Sequence, residues 1–264
     1  MGFVSSHTVP LTVATSASAS APQRLPIVDI ARGVAITQMI AYHFCYDLNY
    51  FQWIHVALTR DAPWIAWRTA IVSQFLFLVG VSLTLRGASE GAAERGRFWK
   101  RWAQIAGCAC LVSLASWWLF GARWIWFGVL HFVAVAQLLL LALSRRGPAV
   151  GLLGIVVLAM GGALQFALFD DNALSWIGFS PTKPQTEDFV PLFPWLGVVL
   201  LGMGAASFWR RSDAAWAQAL RRCRTGRWRP LAFLGRWPLS VYMLHQPLLF
   251  AVLFGVRALL QIRG

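Results

Sequence analysis

The sequence predicts an all-α, polytopic transmembrane helix bundle of about seven spanning helices, and three observations carry that reading. Hydrophobic residues make up 58% of the chain and charged residues 12%, whereas a soluble domain carries roughly a quarter charged residues. The mean hydropathy is +0.59. Runs of about 20 apolar residues, the length that crosses the hydrocarbon core of a bilayer, recur at 27–48, 64–85, 103–120, 124–143, 149–169, 189–208 and 239–260. Residues 25–264 therefore read as one transmembrane domain. The protein is expected to be multi-pass in the cell (plasma or inner) membrane and in contact with lipid.

Residues 1–24 are rich in Ser, Ala and Thr and lack both a basic n-region and an unbroken apolar stretch. They read as a disordered cytoplasmic tail and not as a cleaved signal.

The first apolar run holds four ionisable residues: Asp29, Arg32, His43 and Asp47. At the bilayer centre such a residue costs roughly 2.5–3.5 kcal/mol on insertion scales, so membrane helices keep them for pathways, sites or buried pairs. At about 100° per residue the four lie within about 40° of one line down the helix. His43 and Asp47, at i and i+4, are placed to meet. A carboxylate on one imidazole nitrogen would fix the tautomer and raise the basicity of the other, as a general base or nucleophile requires. The plainer reading is a polar pair that caps the outer end of the helix. Asp29 and Arg32, at i and i+3, form an ion pair or present Arg32 to an anionic donor group.

A loop with Trp53, His55, Arg60 and Asp61 follows, in which His55 reads as an interface residue. The second run carries FLFLVGVSL (75–83), whose Gly80 and Ser82 let another helix approach closely. The fourth begins near Arg123 and carries FGVLHFVAVAQ (127–137), which places His131 about two turns inside the outer surface and level with His43. The loop 170–188 holds four of the ten acidic residues, and Pro191 and Pro194 open the sixth helix, where missing N–H groups are tolerated. The last run opens with LGRWPLSVYMLHQPLL (234–249), in which Pro247 frees a backbone carbonyl. Counting turns gives two polar zones, an outer one at His43 and His131 and an inner one at Asp29, Arg32 and His245.

The net charge of +13 raises the question of a nucleic-acid partner, and its placement answers against one. The arginines crowd the segments 86–101, 145–146 and 210–236, which lie on one side of a seven-helix chain. The positive-inside rule puts that side, with the N-terminus, in the cytoplasm. These residues set topology and meet anionic lipid, or they attract an anion such as the phosphates of a nucleotide-like donor.

Cys45, Cys108, Cys110 and Cys223 show no metal-site spacing, and no disulfide or metal is expected. No glycine-rich phosphate loop, GxSxG elbow or HExxH is present. No internal repeat is visible.

Taken in order, RLPIVDIARGVAITQMIAYHFCYDLNYF (24–51), FLFLVGVSL (75–83), FGVLHFVAVAQLLL (127–140), DFVPLFPWLGVVLLG (188–202) and LGRWPLSVYMLHQPLL (234–249) resemble the bacterial branch of the heparan-alpha-glucosaminide N-acetyltransferase catalytic-domain family. The resemblance implies an acetyl transfer across the membrane, with acetyl-CoA as co-substrate from the cytoplasm and an amino sugar or glycan as acceptor on the outer side. It also implies a histidine following the DxxRG motif as base or transient acetyl carrier. His43 fits the bacterial pattern, and His55 lies nearer the position used by the lysosomal members, as the alternative catalytic residue. Asp29, Arg32, His131 and His245 would then line the path of donor and acceptor. A homodimer is compatible with the sequence. A proton-coupled carrier of a small solute is the alternative from another class, since ionisable residues down one membrane helix also describe a proton relay. A catalytically inactive membrane partner of an envelope enzyme is the third.

Overall fold

The computed structural model describes residues 25–86, 92–171 and 173–262, so the expected tail at 1–24 lies outside the described residues. They form nine α-helices and no strand: α1 (Pro26–Tyr50), α2 (Ala62–Arg86), α3 (Ala92–Phe120), α4 (Val129–Leu140), α5 (Val150–Ala163), α6 (Leu192–Arg211), α7 (Ala215–Arg221), α8 (Arg229–Arg236) and α9 (Pro238–Ile262). Each of the seven apolar runs contains a helix. Segments Ala62–Arg86, Arg95–Arg123, Leu192–Arg211 and Pro238–Leu260 are long and apolar enough to cross a membrane, while Val129–Leu143 and Val150–Ala163 are shorter apolar helices. With 25 residues α1 has the length, about 37 Å at 1.5 Å per residue, but its ionisable residues dilute its hydropathy.

The arginine-rich stretch between the sixth and seventh runs, expected as a loop, contains α7 and α8. Helix α8 packs along the first half of α1. This contact needs glycine on both sides, because a Cβ on Gly33 would collide with the Leu231 carbonyl and one on Gly235 with the Asp29 carbonyl. Close backbone approach through small residues is the usual solution where lipid supplies no hydrophobic drive between helices.

The core gathers around α6. Val199, Leu200 and Met203 on α6, Leu76 on α2 and Phe132 on α4 are all but inaccessible. Gly80 lies against the Val199 carbonyl and Gly202 against that of Phe77, which sets α2 directly on α6. The least covered helices are α3 and α9, whose Leu114, Trp117, Trp118, Val252, Phe254 and Leu259 point outward. Those faces suit lipid.

Three boundaries differ from the sequence reading by five residues or more, and the largest difference is that the third helix, expected from 103, begins at Ala92. The fourth helix starts at Val129, five residues later than expected, because Gly128 is extended and the chain before it finds other partners. Ser113 on α3 donates to the Ile125 carbonyl at 2.7 Å, and Ser116 accepts from the Ile125 N–H at 2.9 Å. Backbone outside a helix needs protein partners of this kind wherever water does not reach it. The fifth helix stops at Ala163 and yields to a long loop, which folds over residues 123–127 through Glu187 N–H to Arg123 O at 3.2 Å and Thr186 Oγ1 to Trp124 O at 2.7 Å.

The bundle has two chemically distinct ends. Side-chain contacts bring Arg32 to Ser82, Ser207 to Arg146 and Arg210 to Thr84 at a basic end. The end of α1, the start of α2 and the loop 164–191 form the opposite, acidic end.

Candidate functional site

The polar face of α1 lines a cavity of about 2230 Å³ whose walls reach from the basic end to the acidic end. Arg32, Arg86, Arg101 and Arg236 line it at the basic end. Arg32 is held at 2.8 Å from Asp29, as the i, i+3 spacing implies, and donates to Ser82 Oγ at 2.5 Å. Asp29 itself is buried behind the wall. Of the eight arginines between 210 and 236, Arg236 lines the cavity, whereas Arg210 and Arg221 donate to backbone carbonyls of Thr84, Trp209 and Ser212. Arg210 and Arg221 therefore fasten helix ends.

Midway along the cavity His43 meets His245, with ring centroids 4.8 Å apart and planes at 67°. Tyr42 packs edge-on to His43 at 6.1 Å, and Tyr242 lies 5.7 Å from His245. The expected separation into an outer His43 zone and an inner His245 zone is thus corrected. Counting turns from helix starts supposes that all helices begin in one plane. Helix α9 instead follows α8, which is already stacked against α1, and so begins inside the bundle.

The expected His43–Asp47 pair does not form either. Asp47 is fully buried, its Oδ1 accepts from Gln246 Nε2 at 2.6 Å, and its Oδ2 has no partner. Asp47 thus faces α9 from behind the cavity wall. The reason is geometric: i and i+4 place two residues on one helix face, but rotamer and neighbour decide whether they touch. The neighbour of His43 is His245.

His131 is not brought to His43. With α4 starting at Val129, it sits in the first turn, where its Nδ1 accepts from the Gly128 N–H at 3.2 Å and its Nε2 faces Ser113 Oγ at 3.0 Å. Since a backbone N–H can only donate, Nδ1 is bare and Nε2 carries the proton towards Ser113. Both nitrogens are used in closing the start of α4. His55 is exposed on the loop after α1, outside the cavity wall.

At the acidic end Tyr46 donates to Glu187 Oε2 at 2.7 Å, and Arg123 pairs with Glu187 Oε1 at 2.7 Å. Arg68, Lys183 and Asp188 complete the lining there. Burial pushes the Lys183 ammonium down from its ordinary range and the neighbouring Arg68 charge pushes the same way, against Asp188. Burial raises the Asp188 carboxyl, opposed by the Val129 N–H, which donates to Oδ2 at 2.8 Å, and by Arg68 and Lys183. Lys183, exposed at its surface, thus stands with Arg68, Asp188 and the Arg123–Glu187 pair at the outer part of the cavity.

Arg68, Tyr46, Gln246, Lys183 and Asp188 went unmarked in the sequence. Arg68 carried a usable signal, an ionisable residue inside an apolar run, which is the criterion that singled out α1. Lys183 carried none, because its place depends on how the long loop folds back.

The residues from the start of α1 to the first half of α9 thus enclose one site, and that same span is matched by a known family. The family described as Heparan-alpha-glucosaminide N-acetyltransferase, catalytic, matches residues 24–247. No curated protein and no solved structure gives a match. With nearly its whole helical part covered, the chain belongs to the heparan-alpha-glucosaminide N-acetyltransferase catalytic-domain family.

Proposed function

We propose that the protein is a membrane acetyltransferase that takes the acetyl group of acetyl-CoA at the basic, cytoplasmic end and delivers it to an amino sugar or glycan entering from the acidic, outer end. The observation that carries this reading is a cavity whose lining runs from Arg86, Arg101 and Arg236 past His43 to Lys183 and Asp188. Arg86, Arg101 and Arg236, with Arg32 set by Asp29 and Ser82, supply the guanidinium groups that suit CoA phosphates. Arg68, Lys183, Asp188 and the Glu187–Tyr46 pair form the acceptor's chamber.

His43, half-buried in the cavity wall midway between the two ends, is the group for the chemistry. As a base its bare nitrogen takes a proton from the acceptor amine or hydroxyl while that atom bonds to the acetyl carbonyl carbon and the C–S bond breaks. The proton then passes to the departing thiolate, and the products are acetylated acceptor and CoA. In the covalent variant the same nitrogen bonds to the acetyl carbon as the C–S bond breaks and the thiolate leaves; the acceptor amine or hydroxyl then bonds to that carbon as the C–N bond to His43 breaks, and the acceptor's proton ends on the thiolate. Asp47 holds α1 and α9 together behind His43 through Gln246. His131 fixes the start of α4 at the outer wall, and His55 is the alternative catalytic residue outside it.

A cavity that joins two ends also suits a carrier of a small solute, and one observation separates the readings. An acetyltransferase is thermally stabilised by CoA, because a ligand of the native state raises its stability by mass action, and His43→Ala abolishes transfer while leaving that stabilisation. Absence of CoA stabilisation, or full transfer by the His43→Ala protein, overturns the reading.

A further inference from the structure

The notable feature of the central pair is a buried nitrogen with no partner. His245 is 8% exposed, and its Nδ1 lies 2.7 Å from the Tyr242 carbonyl oxygen. A carbonyl oxygen can only accept, so Nδ1 carries a proton. In the neutral ring Nε2 is then a bare lone pair, and this atom is buried without any hydrogen-bond partner. An unsatisfied buried acceptor costs roughly 1–3 kcal/mol, and natural proteins retain few of them without a purpose. The imidazole facing it is that of His43, 4.8 Å away centroid to centroid.

Resting on the acetyltransferase reading above, we propose that His245 is the positioning residue of His43: no hydrogen bond joins the two rings as they stand, and a turn of the His43 ring brings one of its N–H groups to the bare Nε2, which leaves the other His43 nitrogen as a lone pair directed into the cavity. The chain of groups runs from the Tyr242 carbonyl through His245 to His43. It performs the task that a carboxylate performs behind a catalytic histidine, holding one tautomer and one ring orientation. Asp47 was the sequence's candidate for that task and is engaged with Gln246 instead. A neutral imidazole suits the place better than a carboxylate, since it brings no net charge into a membrane-spanning bundle. When His43 takes the acceptor's proton, the imidazolium so formed keeps its hydrogen bond to His245, and the proton leaves on the thiolate as CoA departs. No atom is lost or gained at His245.

Two variants and one spectroscopic readout test this. Phe at 245 keeps the ring volume but offers no acceptor, whereas the side-chain oxygen of Gln reaches about where Nε2 sits. His245→Phe is expected to lower kcat about a hundredfold, the low end of general-base contributions, with KM for both substrates unchanged, and His245→Gln to recover a large part of that loss. Nitrogen-15 NMR of histidine-labelled protein in lipid should show His245 protonated at Nδ1 alone and His43 as a single tautomer, which becomes a mixture in His245→Phe. Wild-type kcat in His245→Phe, no recovery in His245→Gln, or a His43 signal indifferent to the substitution overturns the proposal. If the wild-type protein transfers no acetyl group, the acetyltransferase reading fails, and the NMR comparison still decides whether His245 orders His43.

Discussion

Gln246 donates its side-chain amide to Asp47 Oδ1 at 2.6 Å, across 199 positions of sequence, and so joins the last helix to the first. The relationship makes Asp47 a fastening of the wall that carries His43 and His245. Asp47→Ala should therefore strip a buried partner from Gln246 and destabilise the protein by roughly 1–3 kcal/mol, measured by denaturation in lipid or detergent. Turnover per folded molecule should persist. A loss of kcat of about a hundredfold or more with unchanged stability would instead return Asp47 to the role of orienting His43.

The basic mouth makes a separable prediction. Arg101→Gln and Arg236→Gln each remove one guanidinium from the cavity end. A charge-assisted hydrogen bond contributes about 1.5–3 kcal/mol, so each should weaken CoA binding about tenfold or more, read by isothermal titration. Arg222→Gln, in the same arginine-rich segment as Arg236 but outside the lining, should not.

Lys183 offers a chemical test of the outer chamber. The chain has two lysines, Lys100 and Lys183, so amine labelling can be read at each by peptide mass spectrometry. Because burial and Arg68 hold the Lys183 amine below its ordinary 10.5, its neutral form persists to lower pH. Its labelling rate should reach half-maximum at a pH below that value, and the Arg68→Gln protein should move the midpoint upward. A midpoint at the ordinary value would place Lys183 in open water.

The contact between α1 and α8 is backbone on backbone, and Gly235→Ala adds a Cβ where the Asp29 carbonyl stands. Overpacking of this kind costs roughly 1–3 kcal/mol. A drop in Tm is expected, together with weaker CoA binding as Asp29 and Arg32 shift. Gly255→Ala, where an added Cβ meets nothing within 4 Å, is the control and should leave both unchanged.

The helical runs were legible because membrane burial imposes length and apolarity on each segment separately, a property any window of sequence displays. The Asp29–Arg32 pair was legible for a related reason, since both residues sit one turn apart on one helix. What depends on how helices stand against one another was not. Asp47 turned from His43 to Gln246, and His245 rose to the level of His43, through the placement of α8 and α9 beside α1. His131 changed role because serines on α3 replaced the first turn of the expected fourth helix. Lys183 and Asp188 reached the cavity by a loop whose course no local pattern encodes.

The most direct test of the central claim uses the protein in sealed vesicles of one orientation, with isotopically labelled acetyl-CoA confined to the side of the basic end and an amino-sugar acceptor confined to the other. Labelled product on the acceptor side, lost in His43→Ala while CoA still stabilises that protein, is the predicted result. Product formed only when donor and acceptor share one compartment, or formed equally well without His43, would contradict a transfer path that passes His43 through the cavity.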